Sequence, residues 1–111
     1  MLCKKRMDKK IFQRMGKELA QTISEQFGTK NIVELCQIAD ISVRYEKWSP
    51  VTLGEFDRKN SAICINLNAP IVPSDILAHE VGHYFIFQKN IKLSRAGEEI
   101  VASTFAEYFQ E

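Results

Sequence analysis

Apolar residues return at every fourth position from Asp8 to Phe27, at Ile11, Met15, Leu19, Ile23 and Phe27. That spacing predicts an amphipathic helix with one packing stripe and a stop at Gly28. Asn31, with Glu34 three residues on, has the form of a capping box and opens a short helix through Ile32, Val33, Leu35, Cys36 and Ile38 that stops at Asp40. The period then drops to two. Ile41, Val43 and Tyr45 alternate with Ser42, Arg44 and Glu46. After a break at Ser49 and Pro50, residues 51–56 read as a second strand, and a polar turn over 57–60 leads to a third over 61–67. In this third strand Ile63, Ile65 and Leu67 share one face, while Ala62, Cys64 and Asn66 share the other.

Pro70 and Pro73 close the sheet segment, and Ser74 is the expected N-cap of a helix reaching Lys89. Leu77, Val81, Tyr84, Phe85 and Gln88 should face the sheet. Ile76, Glu80, His83 and Phe87 lie towards the other side, with His79 at its edge. Ser94 to Gly97 starts a last helix with Ile100, Val101, Phe105, Tyr108 and Phe109 as its stripe. The expected class is therefore α+β: N-terminal helices, a small three-stranded twisted sheet, then two further helices.

Composition narrows this picture without changing it. A chain of 111 residues, 26% charged and with a formal net charge of +1, is expected to form one domain spanning 1–111. No apolar run approaches the roughly 18 residues of a membrane span, and the lysine-rich start leads into a mixed helix and not an apolar leader. The expected location is cytoplasmic. Cys3, Cys36 and Cys64 are odd in number and widely spaced, which argues against a disulfide framework and against a CxxC zinc site.

The chemistry is concentrated in His79 Glu80 Val81 Gly82 His83. The chain's two histidines are both in this HExxH motif, an arrangement that random shuffling would produce roughly twice in a thousand trials. Four helical residues rise about 6 Å and turn about 400°, so both imidazoles can reach one zinc ion. Glu80 sits about 100° round the helix from His79, beside a water on the metal, where a general base belongs. A catalytic zinc takes a third protein ligand. With no histidine left, the downstream acids Glu98, Glu99, Glu107 and Glu111 are the candidates. Glu99 shares a face with Ala102 and Ala106, small residues that let helices approach, and Ala78 with Gly82 offers a matching small face. Glu98 lies above Val101 and Phe105, which would hold the helices apart. Glu99 is the preferred ligand and Glu98 the alternative.

The run from the strand at 61–67 through Ala69 Pro70 and Ile76 Leu77 Ala78 into His79 Glu80 Val81 Gly82 His83, followed by Glu99 Ile100 Val101 Ala102 Ser103 Thr104 Phe105 Ala106, resembles the gluzincin-type peptidases of the ImmA/IrrE group. Those carry HExGH and then a helix of pattern ExxAxxFA. Ser103 departs from that group, which prefers asparagine there. The order and brevity of the chain also resemble the minigluzincins. The resemblance implies a zinc metalloendopeptidase acting on protein or peptide substrates. It also implies that the enzyme is held latent as a zymogen by its C-terminal segment, either folded across the cleft or exchanged with a neighbouring molecule in a homodimer. Residues 61–67 are expected as an edge strand beside the cleft, where an extended peptide adds through main-chain bonds. Tyr45 and Tyr108 are candidates for a second oxyanion donor.

Two other readings compete. Lys4, Lys5, Arg6, Lys9, Lys10, Arg14 and Lys17 make the N-terminal helix basic, which suits a regulatory module acting with a DNA-binding repressor. Yet no helix-turn-helix pattern is present and few aromatics interleave the basic residues, so a solvated helix face is the expected role and nucleic acid is not the expected partner. A structural zinc domain without catalysis is the other reading, and a carboxylate at Glu80 has no purpose in it.

Overall fold

A computed structural model describes residues 2–50 and 52–109, with side chains from Lys9 onward. Among these residues are four helices and one three-stranded sheet, a mixed α+β architecture: α1 (Leu2–Phe27), α2 (Ile32–Ile38), β1 (Ser42–Glu46), β2 (Gly54–Asp57), β3 (Ala62–Asn66), α3 (Pro73–Gln88) and α4 (Arg95–Phe109). None of the helices is long and apolar enough to cross a membrane.

Helix α1 stops where expected, because Gly28 adopts a φ of 67° that closes the last turn on the Ser24 carbonyl. Of the predicted stripe, Leu19 and Ile23 are buried and Met15 and Phe27 pack against the core, while Ile11 is exposed and the face widens to Gly16 and Ala20. The widening follows from Gly16, where a Cβ would stand 2.6 Å from Thr104 Cβ and 2.7 Å from the Val101 carbonyl oxygen of α4. Phe12 lies against Gly97 in the same way, so α1 and α4 run side by side in the same direction. At α2, Asn31 Oδ1 accepts from the Glu34 N–H at 2.9 Å. The Asn31 N–H bonds to Thr29 Oγ1 at 3.0 Å, so the threonine takes the donor that a reciprocal capping box would give to Glu34.

The strand order is β1-β3-β2, with β1 parallel and β2 antiparallel to β3. The third strand is thus central, which corrects its expected place at the edge. The reason is its apolarity on both faces. Ala62, Ile63, Ile65 and Asn66 are all buried, while β1 and β2 carry Ser42, Arg44, Glu46, Glu55 and Asp57, residues suited to edges. Asn66 is buried because its amide fastens the β1–β2 connection. Its Oδ1 accepts from the Trp48 and Asn68 N–H groups and its Nδ2 donates to the Ser49 and Thr52 carbonyls. Leu67, expected to continue the apolar face, lies past the strand end and is exposed.

Helix α3 begins with Pro73 at its first position and Val72 as a cap without a side-chain bond, so Ser74 falls inside the first turn. Proline's fixed φ and missing N–H suit that position without a capping hydroxyl. Ile76, Leu77, Ala78, Val81, Phe85 and Ile86 are buried almost all round this helix, because it is sandwiched. Of the residues expected to face the sheet, Tyr84 does so, while the other contacts with β2 come from Ile76, Glu80 and Phe87, which were expected to face away. A Cβ on Gly54 of β2 would meet Ile76 Cγ2 at 2.7 Å and Glu80 Cγ at 3.4 Å, and Phe56 stacks edge-on against Tyr84 and Phe87. Leu77, Val81 and Phe85 belong to the core shared with the other helices, where Phe27 and Phe105 flank Phe85. Asn90, with φ 56°, reverses the chain after α3 while Ile91 and Asn90 donate to the Ile86 and Phe87 carbonyls. Ser94 then caps α4 through Gly97 N–H at 3.0 Å.

On its far side α3 meets α4 backbone to backbone. A Cβ on Gly82 would lie 2.9 Å from Ala102 Cα and 3.0 Å from its carbonyl oxygen. Replacing Gly82 with Ala should therefore destabilise the fold by about 1–3 kcal/mol, lowering the thermal midpoint by several degrees in calorimetry. An unchanged midpoint would show that this crossing is looser than described.

Candidate metal centre

His79 and His83 stand one turn apart on α3, and their Nε2 atoms face each other at 3.2 Å. Across the crossing, the second turn of α4 delivers Glu99. Its Oε2 lies 3.2 Å from His79 Nε2 and its Oε1 lies 3.0 Å from His83 Nε2. Donor atoms held at about 2.0–2.1 Å from a tetrahedral zinc ion stand about 3.3–3.4 Å apart. The three observed separations nearly match that triangle, and the donor set of two imidazoles and one carboxylate is one zinc accepts. His79, His83 and Glu99 are therefore able to hold a metal ion.

The outer nitrogens are held as well. Glu98 Oε2 lies 2.7 Å from His83 Nδ1, which assigns the proton to Nδ1 and leaves the Nε2 lone pair pointing into the cluster. Arg58, from the β2–β3 turn, donates from Nη2 to both oxygens of Glu98 at 3.0 Å each. Burial raises the Glu98 carboxyl, but its hydrogen bonds to His83 and Arg58 outweigh this and hold it below the usual carboxylate range. On the other histidine, Ser103 Oγ stands 3.3 Å from His79 Nδ1. Burial, with the neighbouring His83, pushes His79 below the ordinary imidazole value against the pull of Glu99, so it stays neutral as a ligand must.

Arg58 and Ser103 are positions at this site that sequence reasoning did not assign, and Glu98, expected only as the alternative metal ligand, instead bonds the outer nitrogen of His83. Val101 and Phe105, expected to hold the helices apart at Glu98, do not do so. The helices in fact cross at Gly82 and Ala102, leaving the first turn of α4 free to reach round His83. The available signal was the pair Glu98–Glu99 itself, since acids about 100° apart on a helix can address opposite nitrogens of one imidazole. Ser103, the departure from the asparagine pattern, lies where any short polar side chain meets His79 Nδ1.

Glu80 lies beside the triangle and outside it. It is 8% exposed, and burial raises its carboxyl to about 7, with Glu99 and Glu55 adding to the rise and His83 opposing it. Its carboxylate opens into a cleft of about 460 Å3 lined also by Phe56, Arg58, Leu93, Arg95 and the site acids. Neither Tyr45 nor Tyr108 reaches this cleft. Tyr45 is on β1, the edge away from β2, and Tyr108 lies under Lys17 near the end of α4. Phe109 is buried against Phe105, so α4 stays helical through it, about 15 Å along the axis from Glu99. Gln110 and Glu111, the rest of the segment expected to cover the cleft, lie outside the described residues, as do the side chains of Cys3, Lys4, Lys5 and Arg6.

Compared with protein-family models, curated proteins and solved structures, the chain shows no match. The gluzincin resemblance therefore rests on its motif residues, and the site must be read from its own geometry.

Elemental analysis of protein supplied with zinc should find one ion per chain, and His83→Ala should abolish it. Glu98→Ala should keep that stoichiometry but weaken affinity roughly 10- to 100-fold in chelator competition, because it frees the His83 ring. Equal affinity would remove Glu98 from the site.

Proposed function

We propose that this chain is a zinc-dependent metalloendopeptidase of the gluzincin kind, with His79, His83 and Glu99 as ligands and Glu80 as general base. The observation that carries the reading is the division of labour among four side chains. Three donors converge to a ligand-sized triangle, and a fourth carboxylate, buried and without a described partner, stands next to it facing a cleft. A metal ion held there would supply a Lewis acid for a scissile carbonyl and acidify a water molecule.

The rest falls to the protein. Glu80, raised towards neutrality by its burial, accepts the proton of the attacking water and returns it to the leaving nitrogen. Gly54 lets the β2 backbone pass under Ile76 and Glu80, and β2, as an edge strand, offers main-chain groups to an extended peptide beside the cleft. Phe56 from that strand forms an apolar wall. Glu98 and Ser103 hold the histidine rings so that neither must reorient during turnover.

A metal domain with no catalysis would bury the Glu80 carboxyl for nothing, at a desolvation cost that an apolar side chain avoids. Glu80→Gln should therefore keep its zinc and lose at least 100-fold in peptide hydrolysis, measured with casein or a random peptide mixture. A fully active Glu80→Gln protein would refute the assigned base.

A further inference from the structure

The cleft beside the metal centre holds two arginines in different circumstances. Arg58 is committed, with its Nη2 donating to both oxygens of Glu98 and its guanidinium carbon 5.8 Å from the centre of the Phe87 ring. Arg95 is exposed at the first position of α4 and forms no ion pair with a described residue, yet it lines the same cleft as Glu80, His83 and Glu99. A cation at a helix N-terminus adds to the positive end of the dipole, so the fold gains nothing from an arginine there. The acids of the cleft do not answer it either. Glu98 is paired with Arg58 and hydrogen-bonded to His83, Glu99 is aimed at the histidines, and Glu80 makes no ion pair with a described residue. What remains is a positive group in a cleft that the apolar side chains of Phe56 and Leu93 also line.

We propose that Arg95 is a specificity-determining residue that selects peptides bearing a Glu or Asp side chain beside the bond presented to the metal centre. The methylenes of such a side chain lie over Phe56 and Leu93, and its carboxylate takes the paired N–H groups of the guanidinium, a geometry lysine would not reproduce. A substrate lysine at that position would meet Arg95 and the helix dipole with like charge. The proposal rests on the peptidase reading for its biological meaning, but the recognition is a binding property and can be measured without turnover.

The test uses the zinc-supplied full chain carrying Glu80→Gln and labelled, acetylated hexapeptide amides of randomised sequence, with one position at a time fixed as Glu, Gln or Lys. Fluorescence anisotropy should show one position at which Glu binds roughly tenfold tighter than Lys, with Gln between. Arg95→Gln should level the three, and Arg95→Glu should invert the order while zinc content and thermal midpoint stay unchanged. Equal binding of all three peptides, or a Glu preference that survives Arg95→Glu, would overturn the proposal. Cleavage of the same peptides by the chain with Glu80 intact is scored separately. Selective binding with no cleavage sinks the peptidase reading and leaves Arg95 as the recognition residue. Cleavage that ignores the fixed residue does the reverse.

Discussion

Helix α4 reaches the HExxH helix only because nothing larger than a hydrogen stands at Gly82. The contact of Gly82 with the backbone of Ala102 brings the helix axes to the close end of the packing range. Glu99 lies three residues before Ala102, almost one turn back, and from there its short side chain spans the gap to both Nε2 atoms. The same crossing puts Ser103 against His79. A second close approach, Gly16 of α1 against Thr104, presses α4 from behind, so the helix that carries the third ligand is held on two sides at two glycines. Interiors are packed densely enough that a displaced α4 cannot be absorbed locally, and the metal triangle inherits that rigidity.

The polar part of the site hangs from this frame through the sheet. The β2–β3 turn is shaped by Asp57, whose Oδ1 accepts from Lys59 N–H, and it presents Arg58 to Glu98. Sheet, α3 and α4 are thereby joined by one chain of contacts running from Arg58 to Glu98 to His83. Pairing Glu98 with both a guanidinium and an imidazole N–H keeps a half-buried carboxylate ionised. Glu80 has the opposite surroundings, burial without a cationic partner of its own, and its affinity for a proton rises accordingly. Two glutamates beside one candidate site are shifted in opposite directions by what surrounds them.

Much of this was legible from residue order. Period-four and period-two runs, with capping and proline signals, predicted seven elements, although the second strand begins at Gly54 and not at residue 51, and the i, i+4 histidines with an intervening glutamate marked a candidate metal site. Glu99 followed from a helical face shared with Ala102, because short-range geometry on one helix is almost independent of the rest of the chain. Local detail changed where a side chain found an unforeseen partner, as when Thr29 took the Asn31 N–H, and a boundary moved where proline made a polar cap unnecessary at Val72.

What tertiary structure alone decided concerns which surface meets which. Strand order was one such matter, since alternation along 61–67 cannot say whether a neighbour lies on one side or both, and the burial of both faces of β3 is a property of the assembled sheet. The side of α3 that meets β2 was another, because a helix apolar nearly all round carries no periodic preference. Glu98, Arg58 and Arg95 come to one cleft from a helix start and a hairpin turn some forty residues apart. Local patterns along this chain determined its elements and the pairing of its two histidines on one helix face. The partners of those histidines depended on how three helices and a sheet pack, and packing is set by contacts between residues that sequence order keeps apart.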